Sequence, residues 1–311
     1  MTLALLLAKQ IVSMMLMLMI GFVVMRIGLL PKDTGKVLSA LVLYVFCPAI
    51  LLSSFRMEFS TRKLAGLMIA TVAAFAAFVL FRVLSRLLAD PCHLNKIDRM
   101  SAIYPNTGNL IIPLVAAVLG GEYVFYCCAY LSAMNVMSWV HADRVIGEKE
   151  EIKVRKILLN PNILAIVIGL FLFVTGMPLP EILWDTAEKV GNAIGPASML
   201  SIGALMSETD LKQIFCRRKP YVISFLRLLL FPLVFILLLW VVGPERIFPG
   251  AGQVLIATVL AASAPTAVFV TQFAALYEKD TTDASAANVL STLLCVFSLP
   301  VMIVLYQALC L

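Results

Sequence analysis

Long apolar runs, cut by short clusters of charge, make up this chain. Charge-free windows cover 10–25, 37–55, 64–81, 100–121, 123–142, 157–180, 190–207, 220–244 with Arg227 alone inside, 247–277 and 284–311. A helix needs roughly 20 apolar residues to cross the hydrocarbon core, within a range of about 17–25. The first window falls short, but the apolar residues 3–8 ahead of Lys9 extend it. The pattern predicts an all-α polytopic membrane protein with ten transmembrane spans. The first span reads as a retained helix. It has no basic leader and no small-x-small cleavage site, and it is too long for a signal peptide's apolar region.

Punctuation inside the windows predicts more. The longest polar connection, "DRVIGEKEEIKVRKILLN" at 143–160, separates residues 1–142 from residues 161–311, with five windows on each side. An odd number of spans per half forces the second half to be inverted in the membrane. Asn160 followed by Pro161 reads as a helix start, a capping side chain and then proline at the first helical position. Pro48 in span 2 matches Pro196 in span 7, and the break "SAIYPNTGNLIIPL" (101–114) in span 4 matches "SAPTAV" (263–268) in span 9. Interrupted segments at corresponding places in two halves mark the binding site of a transporter.

The breaks carry the candidate chemistry. Unpaired backbone groups are costly in hydrocarbon, so non-helical backbone survives there only when buried in protein or facing a water-filled cavity. Span 4 is expected to stop near Tyr104 and restart near Asn109 or Leu110. Gly108 supplies backbone freedom, and Asn106, Thr107 and Asn109 offer caps. Around Pro265 and Thr266, the small residues Ala261, Ala262, Ser263, Ala264 and Ala267 would let a second backbone come close. The two breaks are expected to cross near the midplane with two helix starts converging. Each start carries roughly half a positive charge and free N–H donors. The expected ligand is a small organic anion, a carboxylate, and its candidate contacts are Asn106, Asn109, Thr107, Gly108, Thr266 and Ser263. Pro105 and Pro265 shape the site. Gly191 and Gly195 form a G-x-x-x-G packing pair, and His141 reads as a helix-end residue. Arg227 lies eight residues past Lys219, about 12 Å at 1.5 Å per residue. It is expected to snorkel or pair structurally, with a substrate role as the second reading.

Composition agrees with the class. The 311 residues are 62% hydrophobic and 14% charged, with a mean hydropathy of +1.00; a soluble domain shows about 45–50% apolar and about 25% charged residues. With the amino terminus outside, most of the loop Lys and Arg fall in the inner loops, and the outer loops hold few, among them Arg56, Arg62, Lys63 and Arg246. That bias sets a multi-pass protein of the cell membrane with both termini outside. The net charge of +6 therefore reflects topology and points to a lipid bilayer as partner, with no role for nucleic acid. The seven cysteines form no C-x-x-C pair, and His93 and His141 are far apart in the sequence. No metal site, disulfide framework or cofactor is expected. H-E-x-x-H and G-x-S-x-G are both absent and no acid interrupts a span, so neither an enzyme nor a carboxylate proton relay is expected. Moving one anion outward across 100 mV, inside negative, releases about 2.3 kcal/mol, enough to drive efflux. A channel or ligand sensor on the same frame is the competing reading.

"YPNTGNLIIPL" (104–114) resembles the N-x-G-N-x-x-x-P-L element of the auxin efflux carrier family of membrane transporters. "SAPTAVFVTQFAALYEKDTTDASAANVLSTLLCVFSLPVMIVLY" (263–306) is similar to that family's carboxy-terminal pattern, and "NPNILAIVIGL" (160–170) and "GPASMLSIGALM" (195–206) are similar to its sixth and seventh helices. The resemblance implies ten helices in two inverted five-helix repeats. Spans 1, 2, 6 and 7 would form a scaffold, often a homodimer interface; spans 3–5 and 8–10 would form a mobile, elevator-type core. It also implies organic-anion substrates and carries over Pro105, Asn106, Gly108, Asn109, Pro265 and Thr266 as crossing residues. The short connection resembles the compact bacterial type, which implies a malate- or malonate-like dicarboxylate and not auxin.

Overall fold

The computed structural model describes residues 3–145, 159–207, 215–276, 279 and 282–311. Most of the connection 143–160 and the side chain of His141 lie outside the described residues. Within them the chain is helical, with no strand. Five helices are long and apolar enough to cross a membrane: α1 (Leu3–Arg26), α2 (Thr34–Ser53), α3 (Thr61–Leu87), the helix beginning at Arg218, and the last, Thr282–Cys310. α4 (Lys96–Ile103) runs into window 4, which then holds α5 (Thr107–Val118), and α6 (Gly121–Val145) covers window 5. Then come α7 (Pro161–Thr175), α8 (Glu181–Asn192) and α9 (Ile194–Ser207). Arg218–Phe225, Leu226–Leu230 and Phe231–Val242 run on as α10. Window 9 holds α11 (Ala251–Ala262) and α12 (Val268–Leu276), and α13 is Thr282–Cys310.

Three prolines shape helices in one way. Val42–Phe46, Thr107–Ile111 and Leu226–Leu230 are π-helical turns, and each runs directly into a residue followed by proline: Pro48, Pro113 and Pro232. Proline has no N–H to donate and its ring crowds the preceding turn. A wider turn accommodates both and rotates the side chains that follow, and such bulges gather at functional positions. Pro300, inside α13, is accommodated without one.

Close helix contacts depend on glycine. A side chain at Gly203 of α9 would strike the Leu18 backbone of α1, and one at Gly21 of α1 would strike the Leu200 backbone of α9. Small residues let helices approach this closely where lipid provides no hydrophobic drive between them. Gly191 likewise lies against the Ile50 backbone, as the packing reading expected, whereas a Cβ at Gly195 would meet only the Pro113 side chain at an ordinary 3.6 Å. The outward faces are apolar: Phe297, Val301 and Val304 form an exposed stripe on α13 at helical spacing. A stripe of that kind suits lipid and would be a liability in water.

Asn160 caps α7, its side chain accepting from the Asn162 N–H with Pro161 in the first turn, as the sequence indicated. The break in window 4 is shorter than expected. Only Tyr104–Asn106 leave the helix, and the chain resumes at Thr107 as a π-turn, because the wide turn absorbs Gly108 and Asn109 into helix. Asn106 precedes that turn without a side-chain capping bond.

Candidate functional site

The two interruptions meet. Asn106 N–H donates to Pro265 O at 2.7 Å and Ala267 N–H donates to Tyr104 O at 3.0 Å, so Pro105 and Thr266 pair as one antiparallel β-bridge. Each break thereby satisfies backbone groups that its proline and missing helical turn leave open. Pairing at this distance needs small side chains, which explains Ala261, Ala262, Ala264 and Ala267, all buried. From α13, Ser291 Oγ accepts from Thr266 N–H at 3.0 Å and Asn288 Nδ2 donates to Thr266 O, so both polar backbone groups of Thr266 are held. Tyr104 is fixed by its hydroxyl, which donates to Met137 O at 2.9 Å, and by ring contacts with Phe78 and Phe269.

Beside the bridge lies a cavity of about 80 Å³. Pro105, Asn106, Thr107, Gly108 and Asn109 form one wall and Ala267, Val268 and Phe269 a second. The first turns of α5 and α12 therefore both border it. Ser39, Leu43 and Cys47 close it from α2, Leu131, Met134 and Asn135 from α6, and Asn162 from α7. On this measure a water occupies about 10–15 Å³, so the space takes roughly five to eight water-sized groups, the size class of a three- or four-carbon acid.

The site has many hydrogen-bond donors and no formal charge in its lining. Asn106 Nδ2, Asn135 Nδ2 and Thr107 Oγ1 are buried with no hydrogen-bond partner among the described residues, as is the acceptor Asn162 Oδ1. Buried polar atoms ordinarily have partners, and each orphan carries a cost. Ser39 is anchored differently, sharing a 2.7 Å hydrogen bond with Ser201.

Of the sequence candidates, Pro105, Asn106, Thr107, Gly108 and Asn109 line the cavity. Ser263, Pro265 and Thr266 are buried and do not line the cavity; Pro265 and Thr266 take part in the bridge. Arg227 neither lines the cavity nor reaches a surface; it is fully buried against the ends of α4 and α11. Sequence reasoning missed Asn135, Asn162 and Cys47. The signal for Asn135 was present, a lone asparagine within window 5. Asn162 was hidden by its place in a helix-start motif.

One buried acid also escaped that reading. Asp98, just ahead of window 4, is fully buried. Its Oδ2 accepts from Asn95 N–H at 3.0 Å and pairs with Lys219 at 3.3 Å, and Asp283 lies near the same lysine. Burial pushes the Asp98 carboxyl up from the usual carboxylate range, against the pull of the Asn95 contact and Lys219. Among the described residues no cluster of His, Cys, Asp and Glu could hold a metal ion.

Paired interruptions bordering a cavity with unpartnered amide groups, within an all-helical fold with long apolar helices, fit a multi-pass membrane protein of the transport class. A family model described as membrane transport protein matches residues 6–151 and 143–303, one match in each half of the chain. The chain belongs to this family of membrane transport proteins, the auxin efflux carrier-like family. No curated protein matches it.

Proposed function

We propose that the protein is a secondary transporter that moves a small organic anion, of the malonate or malate type, out of the cell. The single observation that carries this reading is the pairing of Asn106 with Pro265 and of Ala267 with Tyr104, which brings two helix starts to one cavity with orphaned amide donors. Two helix starts supply roughly one positive charge between them without a titrating group. Together with amide donors they match a carboxylate.

In this reading the ten windows are ten spans in two inverted repeats, 1–142 and 161–311, with α4–α5 and α11–α12 as the broken, crossing spans. Both termini face outward. The scaffold comprises α1, α2 and α7–α9 and makes a homodimer; the other helices form a core that carries the site past it. Cavity walls from α2 and α7 on one side and from α5, α6 and α12 on the other support such a division. Among the described residues no Asp or Glu lines the cavity, so the membrane potential is the expected drive. The test is malonate flux from proteoliposomes. Saturable efflux that speeds up with an inside-negative potential is the expected result. Unitary channel currents, or binding of cations only, contradict the reading.

A further inference from the structure

Arg227 is the unexplained group of this fold. It is fully buried, and among the described residues no Asp or Glu pairs with it. A charge at such depth is expensive and persists only with compensation. Here the compensation is mainly backbone, with the Tyr130 hydroxyl beside the guanidinium. Nε donates to Ala264 O at 2.8 Å, Nη2 to Ala262 O at 2.6 Å and Nη1 to Ile103 O at 3.1 Å, and Ala102 O is a longer contact at 3.5 Å. The guanidinium also lies over the Phe81 ring, 5.3 Å from its centroid. Arg227 occupies the π-turn ahead of Pro232, the device that also shapes α2 and α5.

These acceptors are the carboxyl ends of α4 and α11. The last carbonyls of a helix lack internal partners, and each such end carries roughly half a negative charge. Two ends converging make about one negative charge, which a single guanidinium neutralises. A set of converging carbonyl oxygens is also the ligand chemistry of a sodium ion. The planar fork of arginine spans both ends at once, and a lysine point charge cannot do so with one geometry. Arginine is moreover charged at every relevant pH.

We infer that Arg227 is a positioning residue, a built-in counter-ion that holds the ends of α4 and α11 together and takes the place of a coupling cation, so that anion binding beside the bridge needs no sodium. The part of this claim that concerns the anion rests on the proposed function; the part that concerns the helix ends does not.

Two measurements on the full chain in detergent separate them. The first is the malonate-induced thermal shift in sodium against choline buffer. The wild-type shift is expected to be equal in both, and a shift seen only with sodium overturns the inference. Arg227→Lys is expected to weaken malonate binding at least about tenfold, because one ammonium cannot serve both ends; wild-type affinity in this variant overturns it. The second measurement is hydrogen exchange at 100–110 and 260–268 in Arg227→Ala, with and without millimolar guanidinium. Exchange is expected to rise at both segments together, to fall back with guanidinium, and to recover partly in Arg227→Lys. Unchanged exchange, or a rise that guanidinium does not reverse, overturns the inference. Should Arg227→Ala fail to insert, Arg227→Lys and the sodium comparison decide. If malonate stabilises the wild type in neither buffer, the proposed function fails while the exchange result still decides the role of Arg227.

Discussion

Asn106 N–H donates to Pro265 O at 2.7 Å, joining the two halves of the chain at the two places where an apolar segment leaves the helix. This contact places two helix starts against one cavity. Its supports lie elsewhere. Ser291 and Asn288 of α13 hold the backbone of Thr266, so Ser291→Ala and Asn288→Leu each leave a buried polar backbone group unpaired. Each is expected to cost about 1–3 kcal/mol. Because both act on one residue, the double variant is expected to cost less than the sum. Thermal unfolding of the singles and the double checks this; strict additivity contradicts it.

The cavity takes in a residue that sequence reasoning missed and leaves out one that it named. Asn135 Nδ2 is an orphaned donor at its wall, whereas Ser263 is buried and does not line it. Asn135→Leu is expected to weaken malonate binding at least about tenfold, the scale of a lost hydrogen bond to a charged group, whereas Ser263→Ala changes it by less than about twofold. Equilibrium binding to both purified variants decides; equal losses contradict the assignment.

Glycine packing gives a second contrast. Gly203→Ala forces the new methyl into the Leu18 backbone and is expected to cost about 1–3 kcal/mol, the price of overpacking. Gly195→Ala places its Cβ at ordinary contact distance from Pro113, with an expected cost under about 0.5 kcal/mol. Unfolding temperatures of the two variants test the close approach of α1 to α9.

Asp98 gives a pH signature. Its carboxyl is raised by burial, so the proton is held more tightly in the folded state than in the unfolded one. The stability this contributes is fully present below the unfolded carboxylate value and is lost as pH rises through the folded one. Relative to Asp98→Asn, which cannot titrate, the wild type is expected to gain stability as pH falls from neutral toward the ordinary carboxylate range. A gap independent of pH, or one of opposite sign, contradicts the effect of burial.

Much of this was legible in the chain. Charge-free windows located the apolar elements, and the prolines with their small neighbours located both interruptions. The break at 263–267 falls where "SAPTAV" places it, because Pro265 cannot donate within a helical turn and the small residues around it let the other break approach and pair. At 104–106 sequence reasoning overextended the gap. A π-turn keeps Gly108 and Asn109 helical, and local propensity does not reveal turn width. Arg227 illustrates a different limit. Chain position suggested a route to the surface, but its partners are carbonyls from two other helices, and carbonyls are common to every residue type. Asn162 had one local explanation as part of a cap region, which concealed its place at the cavity.

The central claim is that the wall from Asn106 to Asn109 binds the transported anion. Its most direct test is labelled malonate flux in vesicles carrying Asn106→Ala or Asn109→Ala at wild-type levels of inserted protein. Flux at background in both variants is the predicted result; wild-type flux in both contradicts the site.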